Sequence, residues 1–130
     1  MVVFLIPIKL LSMTEQTGSN AIKYRDFEKI DVRVGTIIDA KSFPGARHPA
    51  FQLWVDFGKI LGIKKTSAQV TKHYTLDNLR GRQVAAVVNF PPKQIGKFMS
   101  EILVLGFPDE TGEVVLVSID QNVPNGGKLF

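Results

Sequence analysis

Thr75-Leu76-Asp77-Asn78-Leu79-Arg80-Gly81 separates two groups of strand-like segments. Thr75 is a residue type that caps helices, Leu76 and Leu79 recur at helical spacing, and Gly81 is a stop, so a short helical turn is expected here. Ser67 to Tyr74 is expected to form a looser helical lead-in to it. On both sides of this segment the periodicity is that of strands. Upstream, Ile30, Val32, Val34, Thr36, Ile38 and Ala40 point one way while Asp31, Arg33, Asp39 and Lys41 point the other. Gly35 interrupts the outward set, as a glycine does where a strand coils or bends to close a small barrel. Phe51, Leu53, Val55 and Phe57 then alternate with Gln52, Trp54 and Asp56, and Ile60 to Thr66 gives a weaker third strand. Downstream, Arg82 to Phe90 reads as a fourth strand and Glu101 to Gly106 as a fifth. Pro108 to Gly112 is a turn, and Glu113 to Ile119 a further strand in a hairpin with the fifth.

Three strands, a helical insert and two more strands is the element order of the OB-fold, an all-β, five-stranded barrel that binds nucleic acid or oligosaccharide. An SH3-like barrel would lack so clear an insert. The expected architecture is therefore an OB-fold barrel with the helical insert between strands 3 and 4, plus terminal extensions that include the extra hairpin strand. Tyr24 to Glu28 forms a short helical turn ahead of the barrel. The tail, Val123 to Phe130, is turn-rich and ends on two apolar residues expected to dock.

At 130 residues the chain is one domain, 45% hydrophobic and 22% charged, which is the composition of a soluble globular protein. There is no cysteine, which excludes disulfide and thiol chemistry. With two histidines, His48 and His73, a zinc or iron site has little to work with, and no metal or other cofactor is expected. Residues 1–13 are apolar but broken by Pro7 and Lys9, too short to span a bilayer and without the flanks of a signal peptide. Residues 1–21 are accordingly read as an N-terminal extension, with Met13 as the expected true start, and residues 22–130 as the domain. Net charge is +4, unevenly placed: residues 33–107 carry 11 Lys and Arg against 4 Asp and Glu, whereas residues 108–130 carry 1 against 4. A basic block on a compact domain favours polyanions.

No Gly-x-Ser-x-Gly elbow, Walker-type phosphate loop or His-Glu-x-x-His is present, so an enzyme is not expected. Binding chemistry is concentrated in Asn89-Phe90-Pro91-Pro92-Lys93-Gln94-Ile95-Gly96-Lys97-Phe98-Met99-Ser100-Glu101, where two prolines and a glycine point to a loop rather than a strand. Lys93 and Lys97 supply charge, Phe98 an aromatic face or a core plug, and Asn89 and Ser100 hydrogen bonds, which together suit a flexible polyanion. Trp54, on the polar face of its strand, is a stacking platform, a dimer contact or a residue covered by the N-terminal segment, with burial at an interface favoured.

Four blocks carry a resemblance: Asp26-Phe27-Glu28-Lys29-Ile30-Asp31-Val32-Arg33-Val34-Gly35, Gly62 to Lys72, Val88-Asn89-Phe90-Pro91-Pro92-Lys93 with Ser100-Glu101, and Val123-Pro124-Asn125-Gly126. Across residues 22–130 the chain resembles the CsaA family, small cytoplasmic proteins built on the tRNA-binding domain also found at the C-terminus of many methionyl-tRNA synthetases. The resemblance implies an OB-fold homodimer, with terminal segments at the interface, that binds tRNA or acts as a chaperone guiding preproteins toward export. The family's tRNA-contacting residues map onto Asn89, Lys93 and Ser100, to which the residues themselves add Lys97. For the chaperone reading, Phe43, Phe90 and Phe98 are the expected apolar lining of a groove for unfolded or preprotein segments, with Arg47, Lys93 and Lys97 at its rim. Glu101-Ile102-Leu103 departs from the Gln-Gly-Met-type run of the dedicated tRNA binders and matches the Ser-Glu of the CsaA branch. Glu101 is expected to weaken phosphate contact. The partners so implied are tRNA, unfolded polypeptides and a second copy of the chain, in the cytoplasm and without membrane insertion.

Overall fold

The computed structural model describes residues 20–130. The proposed start at Met13 and nearly all of the N-terminal extension lie outside the described residues. Helix α1 (Tyr24–Glu28) leads into β1 (Val32–Ser42), followed by β2 (Phe51–Asp56), α2 (Gly58–Leu61), β3 (Ile63–Ala68) and α3 (Leu76–Leu79). Then come β4 (Gln83–Val87), β5 (Lys93–Ile95), β6 (Phe98–Ser100), β7 (Leu103–Val104), β8 (Gly106–Pro108) and β9 (Val114–Leu116). A five-stranded antiparallel sheet in the order β3-β2-β1-β4-β7 is curled into a nearly closed barrel, the OB-fold anticipated from the element order.

The eleven-residue β1 makes the curl possible. Its first half, Val32 to Thr36, pairs with β4, and its second half, from Thr36 on, pairs with β2. Where the two halves meet, a Cβ on Gly35 would lie 2.6 Å from Val55 Cγ1 and 2.8 Å from the Phe57 ring. Only a glycine lets the ring lie across the strand here. Beyond it the register shifts between Ile37 and Asp39, a β-bulge that inverts the alternation. Ile37 is consequently 0% exposed and Ile38 45% exposed, the reverse of strict alternation, while Val32, Val34 and Ala40 face inward as expected. The core is Ile37, Leu53, Val55, Phe57, Val70, Leu79, Val84, Ala86 and Val104.

The helical insert forms at the quoted stretch. Thr75 Oγ1 accepts from Asn78 N–H at 3.1 Å and Asn78 Oδ1 accepts from Thr75 N–H at 3.0 Å, a reciprocal cap over α3, and Leu79 plugs the barrel. Gly81, at φ +86°, donates its N–H to Ile37 O and returns the chain to β4. The expected lead-in over Ser67 to Tyr74 is instead the end of β3 followed by a turn at Thr71 to His73. The third strand does not begin at Ile60. Phe57 N–H donates to Gly62 O and Gly62 N–H to Gly58 O, so Gly58–Leu61 is a helical turn between β2 and β3 with Ile60 fully exposed.

Barrel closure falls to residues 100–102, which seal the outer edge of β3. Glu101 N–H donates to Lys65 O at 2.8 Å and Glu101 Oε1 accepts from Lys65 N–H at 3.0 Å. Ser67 N–H donates to Ser100 Oγ at 3.1 Å and Thr66 Oγ1 donates to Ile102 O at 2.9 Å. The extra hairpin begins at Gly106, at the end of the expected fifth strand, and pairs β8 with β9. It is tethered to the barrel by Tyr74 Oη, which accepts from Leu116 N–H, and by a 2.6 Å contact between His73 Nε2 and Asp109 Oδ2. The His73 contact, helped by Thr111 and Glu113, holds the Asp109 carboxyl well below the usual carboxylate range. The tail lies along the half of β1 that β2 leaves open: Gly126 N–H donates to Val34 O, Val34 N–H to Gly127 O and Leu129 N–H to Val32 O. Its final side chains do not dock on their own chain, for Leu129 is half exposed and Phe130 wholly so.

Candidate binding surface

The stretch from Asn89 to Glu101 is not an irregular loop. Its prolines precede the paired region, and Gly96 at φ +60° with Lys97 makes a two-residue turn, so β5 and β6 form a small hairpin with Lys93 opposite Ser100 and Ile95 opposite Phe98. The expectation that Pro and Gly prevent a strand fails because they lie outside the ladder or at its turn.

This hairpin is folded against the outer face of the sheet through Phe98, which is buried. Its ring packs on Phe43 at 5.3 Å between centroids and edge-on to Trp54 at 6.2 Å and 85°. Phe43 opens the β1–β2 loop, and Trp54 projects from the middle of β2, so three separate elements meet in one aromatic cluster outside the barrel core. Lysines border it. Lys41 Nζ lies 5.1 Å from the Trp54 ring centroid, and Lys65 Nζ lies 5.2 Å from that of Phe98. Trp54 sits between its cross-strand partners Asp39 and Lys65. Alternation placed Trp54 outward but could not show that Lys65 stands beside it, since that requires the β2–β3 register. Lys41 and Lys65 are the site neighbours that sequence reasoning missed.

The other candidates divide by environment. Lys93, Lys97 and Arg47 are exposed and have no carboxylate within ion-pair distance among the described residues. Gly45, two residues from Arg47, and Gly96, next to Lys97, come close enough that a Cβ on Gly96 would touch Gly45 O at 3.9 Å, so the basic loop tips adjoin. Phe90 is 48% exposed, on the approach to the hairpin. Asn89 and Ser100 are structurally engaged. Asn89 Oδ1 accepts from Asp31 N–H at 3.0 Å while its Nδ2 donates to Lys29 O at 2.8 Å, fixing the entry to β1. Ser100 is 3% exposed, its hydroxyl 2.9 Å from Thr66 Oγ1 and accepting from Ser67 N–H. Glu101 is turned toward the β3 backbone, where its Oε1 accepts from Lys65 N–H and so takes part in barrel closure.

A family model described as "Putative tRNA binding domain" matches residues 32–128. Among solved structures the chain is similar to chaperone CsaA from Bacillus anthracis str. Ames, at 47% identity and a TM-score of 0.80 over 85% of this chain and 99% of that one. The chain belongs to the CsaA family of tRNA-binding-domain proteins. The CsaA chaperone protein of Picrophilus torridus is as similar, with 47% identity and a TM-score of 0.79, covering 85% and 100%. Among curated relatives, a methionine–tRNA ligase of Pyrococcus horikoshii is 32% identical over 122 residues, 94% of this chain but 16% of the ligase. A second such ligase, from Porphyromonas gingivalis, is 30% identical over 108 residues and 15% of its length, so the chain matches one small domain of these enzymes. No helix among the described residues is long and apolar enough to cross a membrane.

Proposed function

We propose that this CsaA-family protein is a non-enzymatic, cytoplasmic chaperone that holds unfolded or preprotein segments and assists their export, with tRNA binding on the same surface. The observation that carries the reading is the junction of the β1–β2 loop with the β5–β6 hairpin. There Phe43, seated on the buried Phe98, makes an apolar floor while Arg47, Lys93 and Lys97 stand unpaired at the edge. Phe90 extends the apolar strip. Floor and rim together suit an extended chain: apolar side chains contact the rings, and the rim steers acidic flanks. Asn89 and Ser100 serve the site by fixing the hairpin's two ends. Titration of fluorescein-labelled unfolded polypeptide tests the reading, with affinity expected to drop at least fivefold in Phe90→Ala and Lys93→Ala. A protein that is folded yet has no affinity for unfolded chains rules the chaperone role out.

A second reading, a structure-specific tRNA-binding protein, is favoured by the family match and by the unpaired lysines. It predicts tRNA affinity that falls steeply with salt. The proposal includes a homodimer. Tyr24, Ile30, Leu129 and Phe130 are exposed apolar side chains that line a cleft of about 200 Å³ between α1 and the tail, and Ile22, just ahead of α1, is exposed as well. A twin molecule covering this face would put two basic surfaces on one particle. Light scattering at micromolar concentration that gives the mass of one chain excludes it.

A further inference from the structure

We propose that Trp54 is a stacking seat for an unpaired RNA base, with Lys41 and Lys65 placed to take the flanking phosphates; the inference rests on the nucleic-acid half of the reading above. Trp54 is an outward-facing residue of β2, partly buried, with Phe98 edge-on to it. Its other ring neighbour is the Lys41 ammonium, on a side chain 61% exposed. A ring covered by a solvent-facing lysine is reachable, because the ammonium leaves when a better partner arrives: a phosphate for the charge and a base for the ring. The seat lies on the β2–β3 face, between the β1–β2 loop and the hairpin. That is the general ligand side of five-stranded barrels of this class.

Charge favours RNA over polypeptide at this point. Five cations, Lys41, Arg47, Lys65, Lys93 and Lys97, border the aromatic cluster or the loop tips around it. The acids nearby are committed. Glu101 accepts from Lys65 N–H, and Asp39 is shared between Lys41 at 3.9 Å and Arg80 at 3.4 Å. A planar, sequence-tolerant stack with cations on both sides is the pattern that single strands use, whereas duplex RNA keeps its bases inside.

Trp54 is the chain's single tryptophan, so its emission reports on the seat alone. Octa-uridine is the probe, with an eight-base-pair RNA duplex and carboxymethylated unfolded lactalbumin as comparisons. The expected result is saturable quenching by octa-uridine and little by the duplex. By anisotropy of labelled octa-uridine, Trp54→Leu should weaken binding by about 5- to 150-fold. Trp54→Phe, which keeps a stacking face, should retain most of the affinity, and it guards against a Trp54→Leu variant that fails to fold. Lys41→Gln should lower the slope of log K against log salt by about 0.7. The proposal is overturned if octa-uridine binds without changing the emission and Trp54→Leu keeps its affinity within twofold. It is equally overturned if only the lactalbumin quenches, which would make the seat a polypeptide site. Loss of tRNA binding in Lys93→Ala with none in Trp54→Leu would sink the inference and leave the function above standing. No RNA binding by the wild type would end both RNA readings and leave the chaperone assay to stand alone.

Discussion

Ser100→Ala separates two meanings of one residue. The family resemblance implies a tRNA contact at Ser100, but its hydroxyl lies inside the barrel seam, where it accepts from Ser67 N–H and bonds the Thr66 hydroxyl. Removing the oxygen leaves Thr66 Oγ1 with its bonds to Ile102 O and Ser67 O. Ser67 N–H, on a residue only 4% exposed, loses its partner. One buried donor without an acceptor costs about 1–3 kcal/mol. Against a total stability on the order of 5–15 kcal/mol, that is a large fraction. The assay is urea denaturation followed by Trp54 emission, with tRNA affinity measured separately at urea-free, low-salt conditions where the variant is folded. The expected outcome is a midpoint lowered with the m-value unchanged, and tRNA affinity within twofold of wild type. A variant as stable as wild type within about 0.5 kcal/mol but with tRNA binding lost would refute the seam argument and return Ser100 to the role of direct contact.

The remaining predictions concern other parts of the molecule. Gly35→Ala should destabilise by about 1–3 kcal/mol, because the new methyl meets Val55 and Phe57 inside 3 Å, a shift readable by the same denaturation curve. Thr75→Ala removes the α3 cap and should cost about 1 kcal/mol, with RNA and polypeptide binding unchanged. Lys93→Ala and Lys97→Ala should each lower the salt slope of tRNA binding by about 0.7–0.9, with no change in melting temperature. The Asp109 carboxyl is held below its ordinary value chiefly by His73, so its contribution to stability is present above about pH 4 and is lost as pH falls through the depressed folded value. The stability gap between wild type and Asp109→Asn should therefore narrow on acidification; a gap that widens would show that the tether works otherwise.

Sequence reasoning read the barrel because the information was local. Alternation in Phe51 to Phe57, the Thr75 cap and the Gly81 stop each need only a few residues of context, and each formed in place. Where it failed, the deciding contact was distant in sequence. The bulge after Ile37 is set by pairing with β2, and it exchanged the faces of Ile37 and Ile38. The hairpin at Lys93 to Ser100 is held by rings from residues 43 and 54, so its local Pro and Gly content misled. Glu101 was expected to weaken phosphate contact because it lies beside the proposed site. The bond from the Lys65 N–H to its carboxylate, across the seam and 36 positions away, was not legible in the sequence.

Strand β1 draws its neighbours from the whole chain: β2 directly after it, β4 some fifty residues on, and the tail, with Arg33 bonded to Gly126 across 93 positions. During synthesis at roughly 5–20 residues per second, those 93 positions take about 5–19 s to appear. An all-β domain of this contact order folds in milliseconds to seconds once its partners exist. Chain elongation therefore sets the pace, and for several seconds each nascent molecule shows the unpaired edge of β1 and the β2 face to its surroundings. Val32 and Val34 are covered last, by Gly126 to Leu129. A truncation that removes those few residues would leave a finished barrel with a permanently open edge, and self-association through that edge is the expected fate of the shortened chain.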